Sequence, residues 1–317
     1  MRQVSHFWQF RFLPDFRYRR YVNRMTQTFS GKVALITGAA RGIGAGVARG
    51  FVAQGGKVAL LGLEPELLAE LSEELGDSAA WWEADVRDSQ AMKAAVDAAA
   101  THFGQIDFVL ANAGIASYGT VRQIDDGAFE RVVDININGV FRTLKYATPY
   151  LEKTNGYALV VASQASFAAL AGLASYNASK AGAEMLALAY KQEVAHLGID
   201  VGVCHPSWVD TDIVRVAEAD LPAFKAVRKK LPWPANATTN IEVCIDLILK
   251  GFAKRKPRVY VKKSVIVSNW TKPLMNSPLA FLYIRRLAGG TVPQMEKEVD
   301  ALGRFHHAHT PVTKPAE

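Results

Sequence analysis

Cysteine is scarce: Cys204 and Cys244 are the only two in 317 residues. They are too few for a disulfide scaffold, lie in apolar runs and lack metal-ligand spacing, which points to buried free thiols in a reducing, cytoplasmic compartment. Long apolar runs are scarce too. The first residues have no continuous apolar core followed by a small-residue cleavage site, so a secretory signal is not expected. Thr154 to Ser179 carries no charge, but Ser163, Gln164, Ser166, Ser175, Asn177 and Ser179 lie within it. Each would need a partner in lipid, so the stretch reads as a buried strand and a small-residue loop rather than a membrane span. No repeat of solenoid period is present. His306, His307 and His309 have no second ligand cluster beside them, so a solvated tail is expected and no metal site.

Acidic residues are nearly missing from residues 1–24, where Asp15 stands against six arginines. That segment accounts for most of the formal charge of +7. The rest of the chain is close to neutral, which argues against a phosphate-backbone groove and a nucleic-acid partner. The arginines alternate with aromatics such as Phe7, Trp8 and Phe10, a composition suited to contact with an anionic membrane surface. Met25 opens a second plausible start, so residues 1–24 are expected to be a disordered tail or an upstream-start artefact.

What the chain has is alternation. Lys32 to Thr37 is a short apolar run bounded by glycines and predicts a buried strand. Gly38-Ala-Ala-Arg41-Gly42-Ile43-Gly44 follows, and a helix begins there. Strand, glycine-rich turn and helix start in that order form an anion site, because backbone N–H groups and the positive helix end face a phosphate. Further strands are expected at 57–61, 79–83, 107–111, 157–162, 200–204 and 258–261, separated by helices. The helix over 126–151 is expected to be irregular near Gly139. The pattern predicts an α/β fold: a Rossmann-like doubly wound parallel sheet of about seven strands flanked by helices. Three regions follow from it: a basic extension at 1–30, one Rossmann-fold domain at 31–263, and an apolar then polar extension at 264–317. Residues 207–240 read as a long lid containing Trp208, Leu221, Phe224 and Trp233. Ser264 to Leu287 is apolar but broken by Pro273 and Pro278, and reads as a segment packed on the body, lining a substrate cleft or touching a membrane surface.

Of the ten tyrosines only Tyr176 has a lysine, Lys180, four residues on. On a helix both project to one side, and a fixed ammonium beside a phenol lowers the pKa that keeps it neutral. Ser163 lies thirteen residues before the tyrosine.

These motifs, taken in order, resemble the classical short-chain dehydrogenase/reductase family over roughly Gly31 to Lys262. The glycine turn, Asp85-Val86, Asn112-Ala113-Gly114, Asn136, Ser163, Tyr176 with Lys180, and Pro206 with Thr211 match its positions. The resemblance implies an NAD(P)-dependent alcohol dehydrogenase or carbonyl reductase. Tyr176 would be general acid/base, Ser163 the donor to the substrate oxygen, Lys180 the cation beside the phenol and nicotinamide ribose, and Asn136 the anchor of a proton-relay water. Gly38, Arg41, Gly42, Ile43, Gly44, Asp85, Val86, Asn112, Ala113, Gly114, Tyr176, Lys180, Pro206, Val209 and Thr211 would bind the cofactor. Gly62 stands where NAD-preferring members carry an aspartate, and Arg41 is placed to meet a 2′-phosphate, so NADP is the expected dinucleotide. Ser207-Trp208 replaces the usual Pro-Gly and should reshape the nicotinamide side. The expected substrate is a hydrophobic alcohol or ketone, and the family implies a homodimer or homotetramer. A catalytically silent nucleotide-sensing or scaffold protein on the same fold is the alternative, although members of that kind tend to lose the tyrosine or lysine.

Overall fold

The computed structural model describes residues 27–230, 236–275 and 277–306. Residues 1–24, Trp233, His307 and His309, which figured in the sequence expectations, lie outside the described residues.

Seven strands form one parallel sheet: β1 (Val33–Thr37), β2 (Lys57–Gly62), β3 (Ala79–Glu83), β4 (Phe108–Ala111), β5 (Tyr157–Val161), β6 (Asp200–His205) and β7 (Arg258–Tyr260). Their order is β3-β2-β1-β4-β5-β6-β7. Each differs from its expected span by no more than a residue at either end. The order reverses direction between β1 and β4, and a doubly wound sheet opens its crevice beyond the strand ends at that point. The helices connecting the strands are α1 (Gly42–Val52), α2 (Pro65–Leu75), α3 (Ser89–Phe103), α4 (Asp126–Val133), α5 (Gly139–Thr154), α6 (Ala174–Glu193) and, before β7, α9 (Ile241–Ala253).

Two apolar layers cover the sheet, one packed around Leu35, Val109, Leu144 and Val160, the other around Ile36, Phe51, Leu159 and Phe252. Cys204 and Cys244 are free thiols in the second layer. Phe29, assigned from sequence to the extension, belongs to this core. Its ring stacks on Phe51 at 4.1 Å and meets Phe108 edge-on at 5.7 Å, contacts that favour aromatic pairs beyond simple burial. Asp107 secures the start of β1, accepting from Lys32 Nζ at 2.8 Å and from the Val33 N–H at 2.9 Å.

The irregularity expected near Gly139 is a π-turn at Asp134–Asn138 joining α4 to α5. The expected lid differs in kind: it holds two helices, α7 (Asp212–Asp220) and α8 (Pro222–Lys230). The C-terminal region is helical as well, with α10 (Lys263–Trp270), α11 (Lys272–Met275) and α12 (Pro278–Leu302). Pro278 begins α12 rather than breaking a segment. It occupies the first turn, where a missing N–H costs nothing, behind the Ser277 side chain that caps the Ala280 N–H.

Candidate active site

The glycine turn ends β1 and opens α1 at the switch point. Thr37 Oγ1 accepts from the Asn112 N–H at 3.1 Å, and Asn112 Nδ2 donates back to the Thr37 and Gly38 carbonyls at 3.1 Å. Asn112 therefore staples the ends of β1 and β4 together. Gly38 has φ +62°, and a Cβ there would lie 2.9 Å from Ala113 Cα; a Cβ at Gly44 would lie 2.3 Å from the Gly38 carbonyl oxygen. A Cβ at Gly42 meets nothing within 4 Å. The backbone is thus packed tightly behind the turn and open in front of it, a cradle that fits a pyrophosphate at a helix N-terminus.

A cavity runs from this cradle past Glu64, Asp85, Val86, Asn112, Gly114 and Thr211. Gly38, Arg41, Gly42, Ile43 and Ala113 also line it, whereas Gly44 backs the turn and Lys180, Pro206 and Val209 are not among its walls. Arg41, expected to be free for a 2′-phosphate, is ion-paired with Glu64. The two side chains come from adjacent turns after β1 and β2, and the carboxylate engages one nitrogen of the guanidinium. Asp85 is gripped by Arg87 through its backbone N–H at 2.9 Å and through a guanidinium contact at 2.7 Å. Burial pushes the Asp85 carboxyl up, but Arg87 outweighs it and holds the group below its ordinary value. Arg131 lines the same end, and its Nε is buried without a hydrogen-bond partner among the described residues. Neither Arg87 nor Arg131 was singled out from sequence. Arg87 lies two residues beyond Asp85, a usable signal, but nothing in the periodicity of α4 marks Arg131.

Beyond β5, Ser163, Tyr176, Lys180 and Asn136 come together. Ser163 Oγ accepts the Ala165 N–H at 3.1 Å and is hydrogen-bonded to the Tyr176 hydroxyl. Ser166, three residues on, donates to the Lys180 carbonyl at 3.0 Å. Lys180 Nζ donates to the Val161 carbonyl at 2.8 Å and lies 5.8 Å from the centre of the Tyr176 ring. Burial pushes its ammonium down to about 8, with a smaller opposing effect from Cys204. The downward pull of Lys180 on the phenol expected from their spacing is not found. Burial pushes the Tyr176 hydroxyl above its ordinary value, and the Ser163 hydrogen bond alone opposes it, because Lys180 is turned to the end of β5.

The π-turn aims Asn136 inward. Its Oδ1 accepts the Ile115 N–H and its Nδ2 donates to the Ile115 carbonyl and to Ser179 Oγ, all at 2.9 Å. A Cβ at Gly114 would lie 3.1 Å from Asn136 Oδ1 and 3.2 Å from Lys180 Nζ, so only glycine leaves both groups undisturbed. Tyr176 is also packed, with Trp208, against an apolar wall of Tyr118, Leu173, Leu221, Phe224, Met295 and Val299. Trp208 meets Phe224 edge-on at 5.7 Å beneath the Arg228 guanidinium. Tyr118, Leu173, Met295 and Val299 were not foreseen, since only the tertiary fold brings them together.

A parallel doubly wound sheet with a phosphate cradle at its switch point defines a Rossmann-type dinucleotide-binding protein. Residues 32–222 match the model of the family described as short chain dehydrogenase. A cis-4-hydroxycyclohexanecarboxylate dehydrogenase from Sinomonas cyclohexanicum is 34% identical over 212 residues, covering 65% of this chain and 85% of the relative. A 3-ketoacyl-(acyl-carrier-protein) reductase from Brucella melitensis, solved with NADH, superimposes with a TM-score of 0.65 at 25% identity, covering 73% of this chain and 97% of the other. A short chain dehydrogenase/reductase from Burkholderia phymatum, solved with NAD, gives a TM-score of 0.69 at 21% identity over 79% and 97% of the two chains. The chain belongs to the short-chain dehydrogenase/reductase family, and as a member it is an NAD(P)-dependent oxidoreductase acting on a small molecule.

Proposed function

We propose that the protein interconverts an apolar secondary alcohol and its ketone, with Tyr176 as the general acid and base. The observation that carries this reading is the setting of Tyr176, which is hydrogen-bonded to Ser163, lies near Lys180 and packs against the apolar wall of Leu173, Phe224 and Met295. Gly38, Gly42 and Asn112 would hold the dinucleotide phosphates and nicotinamide half, and Asp85 and Val86 the adenine. When bound, the nicotinamide takes a hydride from the carbinol carbon or returns it. Ser163 donates to the substrate oxygen, and Tyr176 takes the hydroxyl proton in oxidation or supplies it in reduction. Lys180, 5.8 Å from the centre of the Tyr176 ring, would hold the nicotinamide ribose beside the phenol. Asn136 keeps the Ile115 backbone and Ser179 fixed beside it, and any water relay starts from that frame.

The Arg41–Glu64 pair favours NAD over NADP. A 2′-phosphate would meet the Glu64 carboxylate and compete with it for Arg41, whereas a 2′-hydroxyl donates to that carboxylate and leaves the pair in place. Assembly as a dimer or tetramer belongs to the same reading, with Phe141 and Met185 exposed on α5 and α6 as apolar contact residues.

The test is turnover by nicotinamide absorbance over a panel of apolar ketones and alcohols, with NADH and NADPH affinities measured alongside. The relative from Sinomonas cyclohexanicum places cyclic compounds in that panel. Tyr176→Phe is expected to lower kcat by roughly a thousandfold or more while NADH affinity stays within about twofold. Wild-type turnover in the variant would sink the acid/base role, and silence of the wild type over the whole panel would favour a nucleotide-sensing protein. Tighter NADPH than NADH binding would reverse the cofactor choice alone.

A further inference from the structure

Every charged residue between Asp246 and Glu296 is a lysine or an arginine. Some are neutralised by the body of the fold: Lys250 pairs with Asp246, Arg255 with Asp200 and Arg258 with Glu184. Lys263, Lys272, Arg285 and Arg286, carried by α10, α11 and the first half of α12, have no ion-pair partner among the described residues. The same elements expose Val267, Trp270, Leu274, Phe281, Leu282 and Ile284, with Trp270 81% and Leu282 62% accessible. Helix α12 is divided along its length. Its second half is buried through Met295 and Val299 and tied down by Glu296, which accepts from Thr120 at 2.7 Å and from Arg122. Its first half exposes Phe281, Leu282, Ile284, Arg285 and Arg286, residues that span more than one face of a helix.

These six exposed large apolar side chains on three successive helices are uncommon on a solvent-facing protein and mark a contact site. The cations decide what makes the contact. A second copy docking through this face would set lysine and arginine against lysine and arginine with no carboxylate to answer them, which opposes association. An anionic bilayer satisfies both features, since aromatic and aliphatic side chains enter the headgroup boundary while basic side chains extend to the phosphates. No described helix is long and apolar enough to cross a membrane, so the contact lies on the surface. We propose that α10, α11 and the first half of α12 dock the protein on bilayers rich in anionic phospholipid, with Trp270, Leu274, Phe281 and Leu282 in the interface.

The experiment is co-sedimentation of the full chain with phosphatidylcholine vesicles, with and without one third phosphatidylglycerol. The wild type is expected to pellet with the anionic vesicles and to be released as salt rises. Phe281→Ser with Leu282→Ser should weaken partitioning at least tenfold, and Arg285→Glu with Arg286→Glu by roughly tenfold per charge reversed. All four positions are exposed, and unchanged NADH binding and circular dichroism keep the variants interpretable. Failure of the wild type to bind overturns the proposal. So does binding that both double variants retain in full, which would assign it elsewhere, residues 1–26 included. Sedimentation velocity supplies the remaining arm: a dimer that Phe281→Ser with Leu282→Ser converts to monomer, with no vesicle binding, would make the face a self-association surface.

Discussion

The cradle at the end of β1 and the wall facing Tyr176 are built on opposite principles. In the cradle, backbone meets backbone: Gly38 presses on Ala113, Gly44 on the Gly38 carbonyl, and Asn112 bonds both neighbours. In the wall, side chains from the loop after β4, the start of α6, α8 and α12 meet through apolar contact. The first arrangement leaves one residue type per position, whereas the second asks only for apolar volume of about the right size. On the function proposed above, cofactor recognition would be rigidly specified and substrate recognition free to vary.

Gly44→Ala tests the rigid side and carries the largest expected effect. Its Cβ would lie 2.3 Å from a backbone oxygen and 2.9 Å from Asn112 Nδ2, so relief requires moving α1 away from the strand ends. NADH affinity is expected to fall by a hundredfold or more, or the protein to lose solubility, with titration calorimetry as the measure. Binding within a few-fold of wild type would show that the cradle yields and would dissolve the contrast.

Helix α6 carries both principles within one turn. Glu184 accepts from Arg258 at 2.8 Å and pairs with His205 at 3.0 Å. Burial pushes its carboxyl up, but His205 and Arg258 outweigh that and hold it at about 2. Four residues earlier, Lys180 is buried with a carbonyl partner and is pushed down to about 8. The signs are opposite. A carboxyl whose folded pKa lies below its unfolded value of 4.5 adds stability that is complete above that value and is lost as pH falls towards about 2. Glu184→Gln should therefore cost on the order of 3 kcal/mol at neutral pH, with the difference from wild type vanishing in acid. A lysine whose folded pKa lies below 10.5 is a burden below about 8 that fades as pH rises towards its unfolded value. Lys180→Met should stabilise the protein at neutral pH by a comparable order, without turnover. Urea unfolding across pH reads both, and an Lys180→Met protein less stable than wild type would contradict the burial cost.

The rigid side was largely legible in sequence because its constraints are local. Strand, glycine turn and helix are contiguous, Tyr176 and Lys180 share one helix, and the alternation of apolar runs gave the sheet. What escaped depends on choices made in three dimensions. Arg41 had two partners within reach of its long side chain, a ligand phosphate or Glu64, and residue order does not rank them. The pull of Lys180 on Tyr176 looked sufficient from spacing, but Lys180 is turned to the Val161 carbonyl and burial dominates the phenol. Proline misled in the C-terminal region, where Pro278 starts a helix that was read as an interruption. The wall was illegible for a different reason: Tyr118, Leu173, Phe224 and Met295 share no period, and apolar contact leaves no directional mark on sequence.

The smallest expected effect comes from the wall itself. Met295 is buried against Leu173, Tyr118 and the Gly172 backbone, where its Sδ lies 2.2 Å from the position of a Gly172 Cβ. Met295→Leu keeps the volume and removes flexibility, a swap that costs about 1 kcal/mol or less in packing. NADH affinity should not change, because Met295 is not among the residues lining the cavity that runs from the cradle. Relative kcat/KM among ketones of different bulk should shift by a few-fold, since one methylene of pocket shape is worth about 1–3 kcal/mol at most. The measurement is a competition between a small and a large ketone for wild type and variant. Loss of turnover on both would mean that the wall, like the cradle, admits one solution, and that α12 fixes the position of Tyr176 as well as the shape of what reaches it.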